Sequence, residues 1–290
     1  MADDDRRFGG CQTDDELPED VIIRVDGVTK RFGEHTVLDG IKLDVKRGEV
    51  LVILGGSGSG KSTLLRCMIG ALRADEGRVI VSLPDDLGPP VNICGMSDRQ
   101  LDEYRQTIGV LFQSGALFNS MSVYDNVALP MRMHADLAPE TIDISVKIKL
   151  ELVNIRSAAD RLPAELSGGM KKRAGLARAL ALDPQILYYD EPSAGLDPIT
   201  SAQVDQLILD LNKQLGVTTV VVTHEMDSAF RIADRMVLLD QGKFVADGTK
   251  DEFEHSEDPK IKQFVHGLTE GPYTDRQKQD GYEDALLNSA

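Results

Sequence analysis

Residues 50–63 read VLVILGGSGSGKST, and this stretch decides the fold. Residues 50–54 are all apolar, which is typical of a strand buried in a parallel sheet. After the run of glycine and serine, Lys61 opens a helical pattern that continues with Leu64, Leu65 and Met68. A strand, a G-x-x-x-x-G-K-S loop and a helix in this order predict a loop whose backbone N–H groups surround a bound phosphate.

The loop predicts a nucleoside triphosphate as ligand and Mg²⁺ as the accompanying ion. In this motif the lysine, here Lys61, reaches the β- and γ-phosphates, and the next hydroxyl, here Ser62, ligates Mg²⁺. The alternative, a glycine-rich turn without nucleotide, would not require the lysine, the hydroxyl and the flanking elements together. The predicted nucleotide-binding residues of the loop are Gly55, Gly56, Ser57, Gly58, Ser59, Gly60, Lys61, Ser62 and Thr63.

Composition restricts the class of protein further. The chain has 290 residues, enough for one large α/β domain or two smaller ones. Its 48 acidic and 32 basic residues argue against nucleic acid as a partner, because nucleic-acid binders normally show a basic surface. The longest apolar runs have the length of strands, and no secretion signal is recognisable, so no membrane span is expected. Cys11, Cys67 and Cys94 are widely spaced, which suits free thiols in a reducing cytosol.

Strand and helix patterns alternate along most of the chain. Apolar or β-branched runs predict strands at residues 21–25, 41–45, 50–54, 78–81, 108–113, 186–189, 218–223 and 235–239. Such alternation predicts an α/β fold with a mainly parallel sheet that carries helices on both faces. Residues 114–165 instead show helical periodicity and are predicted to form a helical insertion in the α/β core.

Four polar or glycine residues lie where predicted parallel strands end: Gly55, Gln113, Asp190 and His224. Ligand chemistry in such sheets gathers at the carboxyl ends of the strands, so we expect one pocket to collect these residues. Taken singly, an Asp-Glu pair after a strand is often a helix cap and a lone histidine is often structural. The phosphate loop upstream favours the functional interpretation.

Each of these side chains has a role in hydrolysing the γ-phosphate. Asp190 is the predicted second Mg²⁺ element beside Ser62. Glu191 is expected to orient or deprotonate the attacking water. Gln113 is expected to bridge the metal and the water, and His224 to contact the γ-phosphate as a donor. The catalytic prediction is therefore Glu191, His224 and Gln113, and the metal-ligand prediction is Ser62, Gln113 and Asp190.

Further motifs give the chain a specific resemblance. Leu166-Ser167-Gly168-Gly169 is a second anion nest at the start of a predicted helix, and Gly195-Leu196-Asp197 follows Glu191. With Phe32 and the phosphate loop upstream and His224 downstream, this order resembles ATP-binding subunits of ABC transporters from about Val21 to Gly248. The resemblance implies a P-loop NTPase (RecA-like) core with an antiparallel β subdomain and an inserted α-helical subdomain.

The same resemblance implies ATP with Mg²⁺ as the cofactors and a homodimer as the working unit. Phe32 would stack on the adenine. Tyrosine is commoner at this position, but phenylalanine can replace it because stacking needs only the face of an aromatic ring. Two chains would close head-to-tail, so that the second anion nest faces the γ-phosphate held by the opposite chain. The residues expected to complete the nucleotide site in this way are Ser167, Gly168, Gly169 and Asp197.

Composition and the resemblance together divide the chain. Residues 1–20 are expected to be a disordered acidic tail, 21–248 the ABC ATPase domain with its helical subdomain at about 114–165, and 249–290 a C-terminal extension. In the extension Tyr273 and Tyr282 are candidate anchors for a neighbouring subunit or a small partner. The basic trio at residues 171–173 is either a solvated helix face or an anion-attracting patch led by Arg173.

Several stretches resemble Mla/Mce-system ATPases in particular, which power phospholipid transport: residues 111–127, 166–173, 190–200 and 263–272. This implies an MlaE-like integral membrane permease, an MCE-domain lipid-binding protein reached through the permease and a small STAS-domain protein. It implies a cytoplasmic protein, peripheral on the cytoplasmic face of the inner membrane. An exposed apolar cluster at residues 116–118, beside Gln113, is expected to contact the permease, and a charge at Leu117 is expected to disconnect it. The alternative is ordinary packing of the helical insertion.

Other functions remain open at this point. A small-solute ABC importer is the second candidate, against which the stretch after Gln113 argues. Soluble ABC ATPases without a permease usually carry a long coiled-coil insertion or two nucleotide-binding domains, and this chain has one set of motifs. A scaffold without turnover would be expected to lack the carboxylate at Glu191.

Overall fold

A computed structural model of the chain describes Phe8, Cys11 and residues 17–83 and 88–273. The described strands are β1 (Val21–Phe32), β2 (His35–Lys46), β3 (Val50–Leu54), β4 (Glu76–Val81), β5 (Val91–Asn92), β6 (Ile108–Leu111), β7 (Ile186–Asp190), β8 (Thr218–Thr223), β9 (Arg235–Asp240) and β10 (Lys243–Gly248). The described α-helices are α1 (Lys61–Met68), α2 (Asp98–Arg105), α3 (Val123–His134), α4 (Pro139–Leu152), α5 (Gly168–Ala179), α6 (Pro198–Leu215), α7 (Met226–Ile232), α8 (Lys250–Glu254) and α9 (Pro259–His266).

The strands form two sheets. β2-β1-β4-β5 is a 4-stranded antiparallel sheet, and β10-β9-β3-β8-β7-β6 is a 6-stranded sheet. Within the larger sheet every neighbouring pair is parallel except β10 with β9. Helices α3 and α4 lie in the connection between β6 and β7. The predicted fold class is confirmed: an α/β protein with a mainly parallel sheet, an antiparallel sheet and inserted helices.

The core has two parts, one on each face of the larger sheet. Because side chains alternate across a strand, β3 contributes to both. Leu51 and Ile53 pack with residues of the antiparallel sheet, α1 and α2, whereas Val50, Val52 and Leu54 pack with residues of α3–α7. Every residue of β3 and β8 is buried, which explains why both sequences read as unbroken apolar or β-branched runs.

Local sequence determines where the helices begin and end. Asp197 caps α6, Pro198 occupies its first position, and Gly216 ends it with a φ of +65°, a left-handed conformation that glycine adopts without strain. α2 begins with a reciprocal capping box, in which Ser97 accepts from the Gln100 N–H and the Gln100 side chain bonds back to the Ser97 N–H.

Two differences from the sequence-based expectations concern the elements. β6 ends at Leu111, two residues before the predicted end, and both Phe112 and Gln113 are exposed beyond it. In the sheet formed by the described strands β6 is an edge strand beside β7, so only one neighbour holds its end. α2 was not predicted from the sequence, because only Leu101 and Tyr104 are buried on it, too few apolar residues for a clear helical stripe.

The terminal segments are described only in part. Most of residues 1–20 lie outside the described residues, but Phe8 and Cys11 are buried in the core beside the antiparallel sheet. The Cys11 carbonyl accepts a hydrogen bond from the Asn92 N–H at 2.9 Å. At these two positions the chain packs on the fold instead of extending as a tail, because their side chains are apolar. The domain boundaries proposed from the sequence stay predictions.

Candidate nucleotide site

The candidate site lies at the carboxyl ends of adjacent parallel strands. β3 pairs with β8 and β8 with β7, and the last pairs in register are Leu54 with Thr223 and Asp190 with Val222. The phosphate loop follows β3, Asp190 ends β7, and His224 follows β8. Three separate parts of the chain therefore meet at one edge of the sheet, where the sequence predicts them.

Close packing explains the glycines of the loop. A Cβ at Gly55 would lie 2.3 Å from the Leu239 carbonyl oxygen and 2.5 Å from the Ser59 Oγ. Gly60, the residue before α1, has a φ of +106°, and a Cβ there would approach the Val37 carbonyl oxygen to 2.9 Å. Neither position accepts a side chain without moving backbone.

The loop residues fit an anion. The Nζ of Lys61 donates to the carbonyl oxygens of Gly55 and Gly56 at 2.8 and 2.9 Å. Burial lowers the pKa of Lys61, and the nearby carboxylates oppose this shift. The Ser59 hydroxyl is buried, and among the described residues it has no hydrogen-bond partner. A phosphate group would supply the missing acceptor for Ser59 and a counter-charge for Lys61, next to the N-terminus of α1.

A hydroxyl and a carboxylate meet beside the loop. The Ser62 Oγ donates to the Oδ1 of Asp190 at 3.1 Å. Hard oxygen atoms of this kind are the protein ligands that Mg²⁺ takes together with phosphate and water oxygens. The donor set present therefore fits Mg²⁺ bound with a nucleotide.

Glu191 is held from several sides. Its side chain is only 12% exposed, its Oε2 accepts from the Thr223 Oγ1 at 3.1 Å, and its Oε1 lies 2.9 Å from the Nδ1 of His224. Its backbone has a φ of +51°, a left-handed conformation that is uncommon for a residue other than glycine. Such conformations persist where the surroundings hold them, and they cluster at functional sites. A fixed carboxylate therefore lies at the sheet edge where the phosphate loop begins.

Lys172 is a contact that the sequence analysis missed. It lies on α5, is 6% exposed, and donates through its Nζ to the carbonyl oxygen of Glu191 at 3.0 Å. The interpretation of residues 171–173 as a solvated face is wrong for this residue. Arg173 instead donates to the Val153 carbonyl oxygen at 3.0 Å. The available signal was the helical spacing, which places Lys172 one turn before the buried Leu176.

The second anion nest lies beside the segment that contains Asp197. Ser167 is the N-cap of α5 and accepts a hydrogen bond from the Met170 N–H at 3.3 Å. A Cβ at Gly169 would lie 2.5 Å from the Thr200 Cγ2, so glycine permits this close approach. Ser167, Gly168 and Asp197 are exposed to solvent.

Two predicted site residues stand apart from this cluster. Phe32 lies at the end of β1, is 51% exposed, and has the Nζ of Lys30 at 5.6 Å from its ring centroid. Gln113 lies exposed on the loop after β6. Among the described residues, no hydrogen bond or ring contact joins either side chain to Ser62, Asp190 or Glu191.

The loop after Gln113 is fastened to α3 and α5. Asn126 is fully buried; it accepts from the Phe118 N–H at 2.8 Å and donates to the Phe118 and Ser122 carbonyl oxygens at 3.1 and 2.9 Å. The Arg178 guanidinium donates to the Ala116 carbonyl oxygen at 2.8 Å and lies over the Phe118 ring. Leu117 packs against the core, whereas Phe118 is half exposed. The apolar cluster is thus held in a defined shape.

Of the two tyrosines in the C-terminal extension, the structure describes one. Tyr273 packs on Phe264 with ring centroids 6.2 Å apart, and its N–H donates to the Oε1 of Gln263 at 2.8 Å. Tyr282 lies outside the described residues. None of the described helices is long and apolar enough to cross a membrane.

Comparisons with known proteins agree with this geometry. The family model described as ABC transporter matches residues 38–194. The probable ribonucleotide transport ATP-binding protein mkl of Mycobacterium leprae is 42% identical over 280 residues, which cover 95% of this chain and 79% of the relative. The intermembrane phospholipid transport system ATP-binding protein MlaF of Escherichia coli K12 is 42% identical over 255 residues, which cover 88% and 92%.

Solved structures show the same fold. A dimeric structure of the ATP-binding cassette MJ0796, in a post-hydrolysis state bound to ADP and Pi, matches with a TM-score of 0.70 and 30% identity. The match covers 79% of this chain and 98% of that one. Sequence, fold and the arrangement of loop, carboxylates and histidine lead to one conclusion: the chain belongs to the ABC transporter family and is an ATP-binding, ATP-hydrolysing subunit of a transporter.

Proposed function

We propose that this chain powers an ABC transporter of the Mla/Mce type, which moves phospholipid or another lipid between membranes. The observation that carries its role in hydrolysis is the joint position of two pairs at one sheet edge: Ser62 with Asp190 at 3.1 Å, and Glu191 with His224 at 2.9 Å. The similarity to MlaF supports a lipid as the transported cargo, since that relative is named for intermembrane phospholipid transport.

In this proposal the loop residues and Lys61 hold the β- and γ-phosphates. Ser62 and Asp190 would hold Mg²⁺, with Gln113 as a further ligand, and the ion would neutralise charge on the phosphate oxygens. Glu191 accepts a proton from the attacking water or orients it, because Thr223 and His224 fix its carboxylate. His224, whose side chain is more than half exposed, donates to the γ-phosphate.

The rest of the nucleotide site would come from two places. The half-exposed ring of Phe32 stacks on adenine. The exposed Ser167 and Gly168, with Gly169 and Asp197, face the ATP of a second copy of the chain, so that two equal sites form across a two-fold axis. The solved dimer of a related cassette supports this arrangement. Residues 21–248 form the ATPase domain in this proposal, with 249–290 as an extension.

The proposed assembly follows from the Mla/Mce resemblance. The homodimer binds an MlaE-like permease, on the cytoplasmic face of the inner membrane, and reaches an MCE-domain protein through it. A small STAS-domain protein binds the ATPase. The contact with the permease is the surface formed by residues 113–127, in which Phe118 is an exposed large apolar side chain.

A second cargo is favoured by a specific observation. The mkl relatives, which match 95% of this chain in one case, are named for ribonucleotide transport. The ATPase residues do not distinguish a lipid from a ribonucleotide, because they contact only the ATP that powers transport.

The deciding experiment is purification of the tagged full-length chain from membranes of its own host, followed by mass spectrometry and lipid analysis. We expect a permease, an MCE-domain protein and phospholipid. The matched control is the Lys61→Ala variant, which should recover the same proteins, because partner binding does not need the phosphate loop. Recovery of a solute-binding protein with bound ribonucleotide would overturn the lipid proposal and leave the ATPase assignment intact.

Hydrolysis is tested on the same preparation. Glu191→Gln should lower the ATP hydrolysis rate at least ~100-fold, on the scale at which general acid–base groups contribute, while ATP binding is retained. Lys61→Ala should lose ATP binding, because the phosphates lose their counter-charge. A Glu191→Gln variant with the wild-type rate would refute the catalytic role of Glu191.

A further inference from the structure

We propose that Lys172 is a positioning residue, which ties the start of α5 to the catalytic carboxylate of the same chain. The inference rests on the proposed function, in which Glu191 acts on water and Ser167–Gly169 face the ATP of a second copy. It adds a connection within one chain between these two half-sites.

The first step is the conformation of Glu191. Its φ of +51° is not one that a glutamate keeps without external support. The support is visible on both sides of the residue. The Glu191 N–H donates to the Val222 carbonyl oxygen at 2.9 Å, and the Glu191 carbonyl oxygen accepts from Lys172 at 3.0 Å and from the Ala194 N–H at 3.3 Å. Lys172 is thus one of the two groups among the described residues that hold the Glu191 carbonyl in its orientation.

The second step is the burial of Lys172. An ammonium group removed from water is unfavourable unless it has partners. Burial accordingly lowers the pKa of Lys172, and the carboxylates of Glu191, Glu225 and Asp190 oppose the shift. The chain keeps a cation in a costly place, where its one hydrogen bond among the described residues is to the backbone of Glu191.

The third step is the position of Lys172 on its helix. α5 begins at Gly168, and Lys172 lies one turn further on. Because a helix moves as a unit, a displacement of its first turn also displaces the Lys172 ammonium and the carbonyl that it holds. ATP bound against Ser167 and Gly168 at one site is therefore coupled to the orientation of Glu191 at the other.

The first experiment compares two buried lysines. Lys172→Met removes the contact with Glu191. Lys149→Met removes a lysine that is also 6% exposed but pairs with the exposed Asp183, which follows α5. In the full-length protein with its membrane partner, Lys172→Met should lower kcat for ATP hydrolysis about 100-fold, as expected for a misplaced catalytic group, with the Kd for ATP within about twofold. Lys149→Met should change kcat by less than twofold.

Two results would overturn the proposal. One is an unchanged kcat in a Lys172→Met protein that unfolds at the wild-type temperature. The other is a loss of ATP affinity as large as the loss of rate, which would make Lys172 part of the binding site. If Lys172→Met does not fold, Lys172→Leu gives the same comparison, because leucine also has no donor for the Glu191 carbonyl.

The second experiment asks which chain Lys172 serves. Two differently tagged copies are co-expressed and purified as mixed dimers, so that only one chain carries an active Glu191. In the first mixed dimer, one chain carries Lys172→Met with an intact Glu191, and its partner carries Glu191→Gln. Its ATP hydrolysis rate should fall to that of a dimer with Glu191→Gln in both chains. In the second mixed dimer, both changes are in one chain and the other chain is unchanged. Its ATP hydrolysis rate should be at least half that of a dimer in which one chain carries Glu191→Gln alone. The reverse pattern would mean that Lys172 acts on the partner's site and would overturn the proposal.

A failure of the proposed function is distinguishable from a failure of this proposal. In that case Glu191→Gln alone would leave the ATP hydrolysis rate unchanged.

Discussion

Asp197 shows how one residue serves both the fold and the candidate site. It caps α6 by accepting from the N–H groups of Ile199 and Thr200 at 3.1 and 3.0 Å, and from the Thr200 hydroxyl at 2.5 Å. These hydrogen bonds lower the pKa of the Asp197 carboxyl from its ordinary value of 3.8, with the Thr200 hydroxyl as the largest cause. The residue proposed to face the second copy is therefore rigidly held before any partner arrives.

The lowered pKa predicts a pH dependence of stability. The folded state binds the Asp197 proton less readily than the unfolded state does, so the cap stabilises the fold above the ordinary value of 3.8. That contribution is lost as pH falls through the lowered pKa. Asp197→Ala should thus destabilise the protein at pH 7, by a margin that shrinks at the lowest pH where unfolding is still cooperative.

The measurement is the urea midpoint of unfolding at both pH values. Asp197→Asn is the control, because asparagine also caps helices but does not titrate. A destabilisation by Asp197→Ala that is equal at both pH values would contradict the assignment of the pKa to the cap.

At the scale of elements, a buried polar chain joins α6 and α7 to the segment after Glu191. Asp205 on α6 is fully buried and accepts from the Ser228 Oγ at 2.6 Å and from Arg231, both on α7. The Ser228 Oγ in turn lies 3.5 Å from the Oγ of Ser193. Since α7 follows His224 and Ser193 follows Glu191, this network fixes the position of the His224 segment relative to that of the Glu191 segment.

We expect the loss of this network to lower the free energy of unfolding. Arg231→Ala leaves the Asp205 carboxylate buried with the Ser228 hydroxyl as its remaining partner among the described residues. Removing one member of a buried pair typically costs ~3–5 kcal/mol, and we expect about 2 kcal/mol here because the Arg231 side chain is 40% exposed. Urea unfolding of the wild-type and variant proteins measures this difference in the free energy of unfolding. The control is Arg99→Ala, which removes an 89% exposed arginine from its pair with Glu103 and should cost no more than ~0.5 kcal/mol. Equal effects of the two variants would show that the network does not stabilise the fold.

At the scale of the whole molecule, the surface formed by residues 113–127, which we propose as the permease contact, follows β6 at the carboxyl edge of the larger sheet. The structure changes the choice of test residue there. Leu117 packs against the core, so a charge at Leu117 would disturb folding as well as docking. Phe118 is 51% exposed while Asn126 fixes its backbone, so its side chain can be changed without loss of the loop.

We therefore expect Phe118→Glu to retain ATP binding and the melting temperature but to reduce recovery of the permease from membranes at least ~10-fold, as for the loss of a central interface contact. Ile144→Glu is the matched control, because Ile144 is 59% exposed on α4. Loss of ATP binding in Phe118→Glu would refute the separation of docking from nucleotide binding. Equal loss of the permease in both variants would place the contact elsewhere.

Patterns that repeat along the chain were predictable from the sequence. The strands at residues 50–54 and 218–223 were predicted with their observed bounds, because a strand buried on both faces must be apolar or β-branched throughout. α2 and the end of β6 were not predictable, since a short, mostly exposed helix and an edge strand carry few buried residues. The polar residues at strand ends were predictable because parallel strands share one edge.

The sequence by itself therefore determined the α/β class, the phosphate loop and the residues at the strand ends, because each depends on spacing along the chain. Only the tertiary structure decided that Lys172 is buried against the Glu191 carbonyl, that Asp205 joins α6 to α7, and that Phe118 is exposed where Leu117 is not. These contacts join residues far apart in the chain, and the same lysine, aspartate or apolar side chain would read as an ordinary surface or core residue. Burial and hydrogen-bond partners depend on how the elements pack, which no local pattern records.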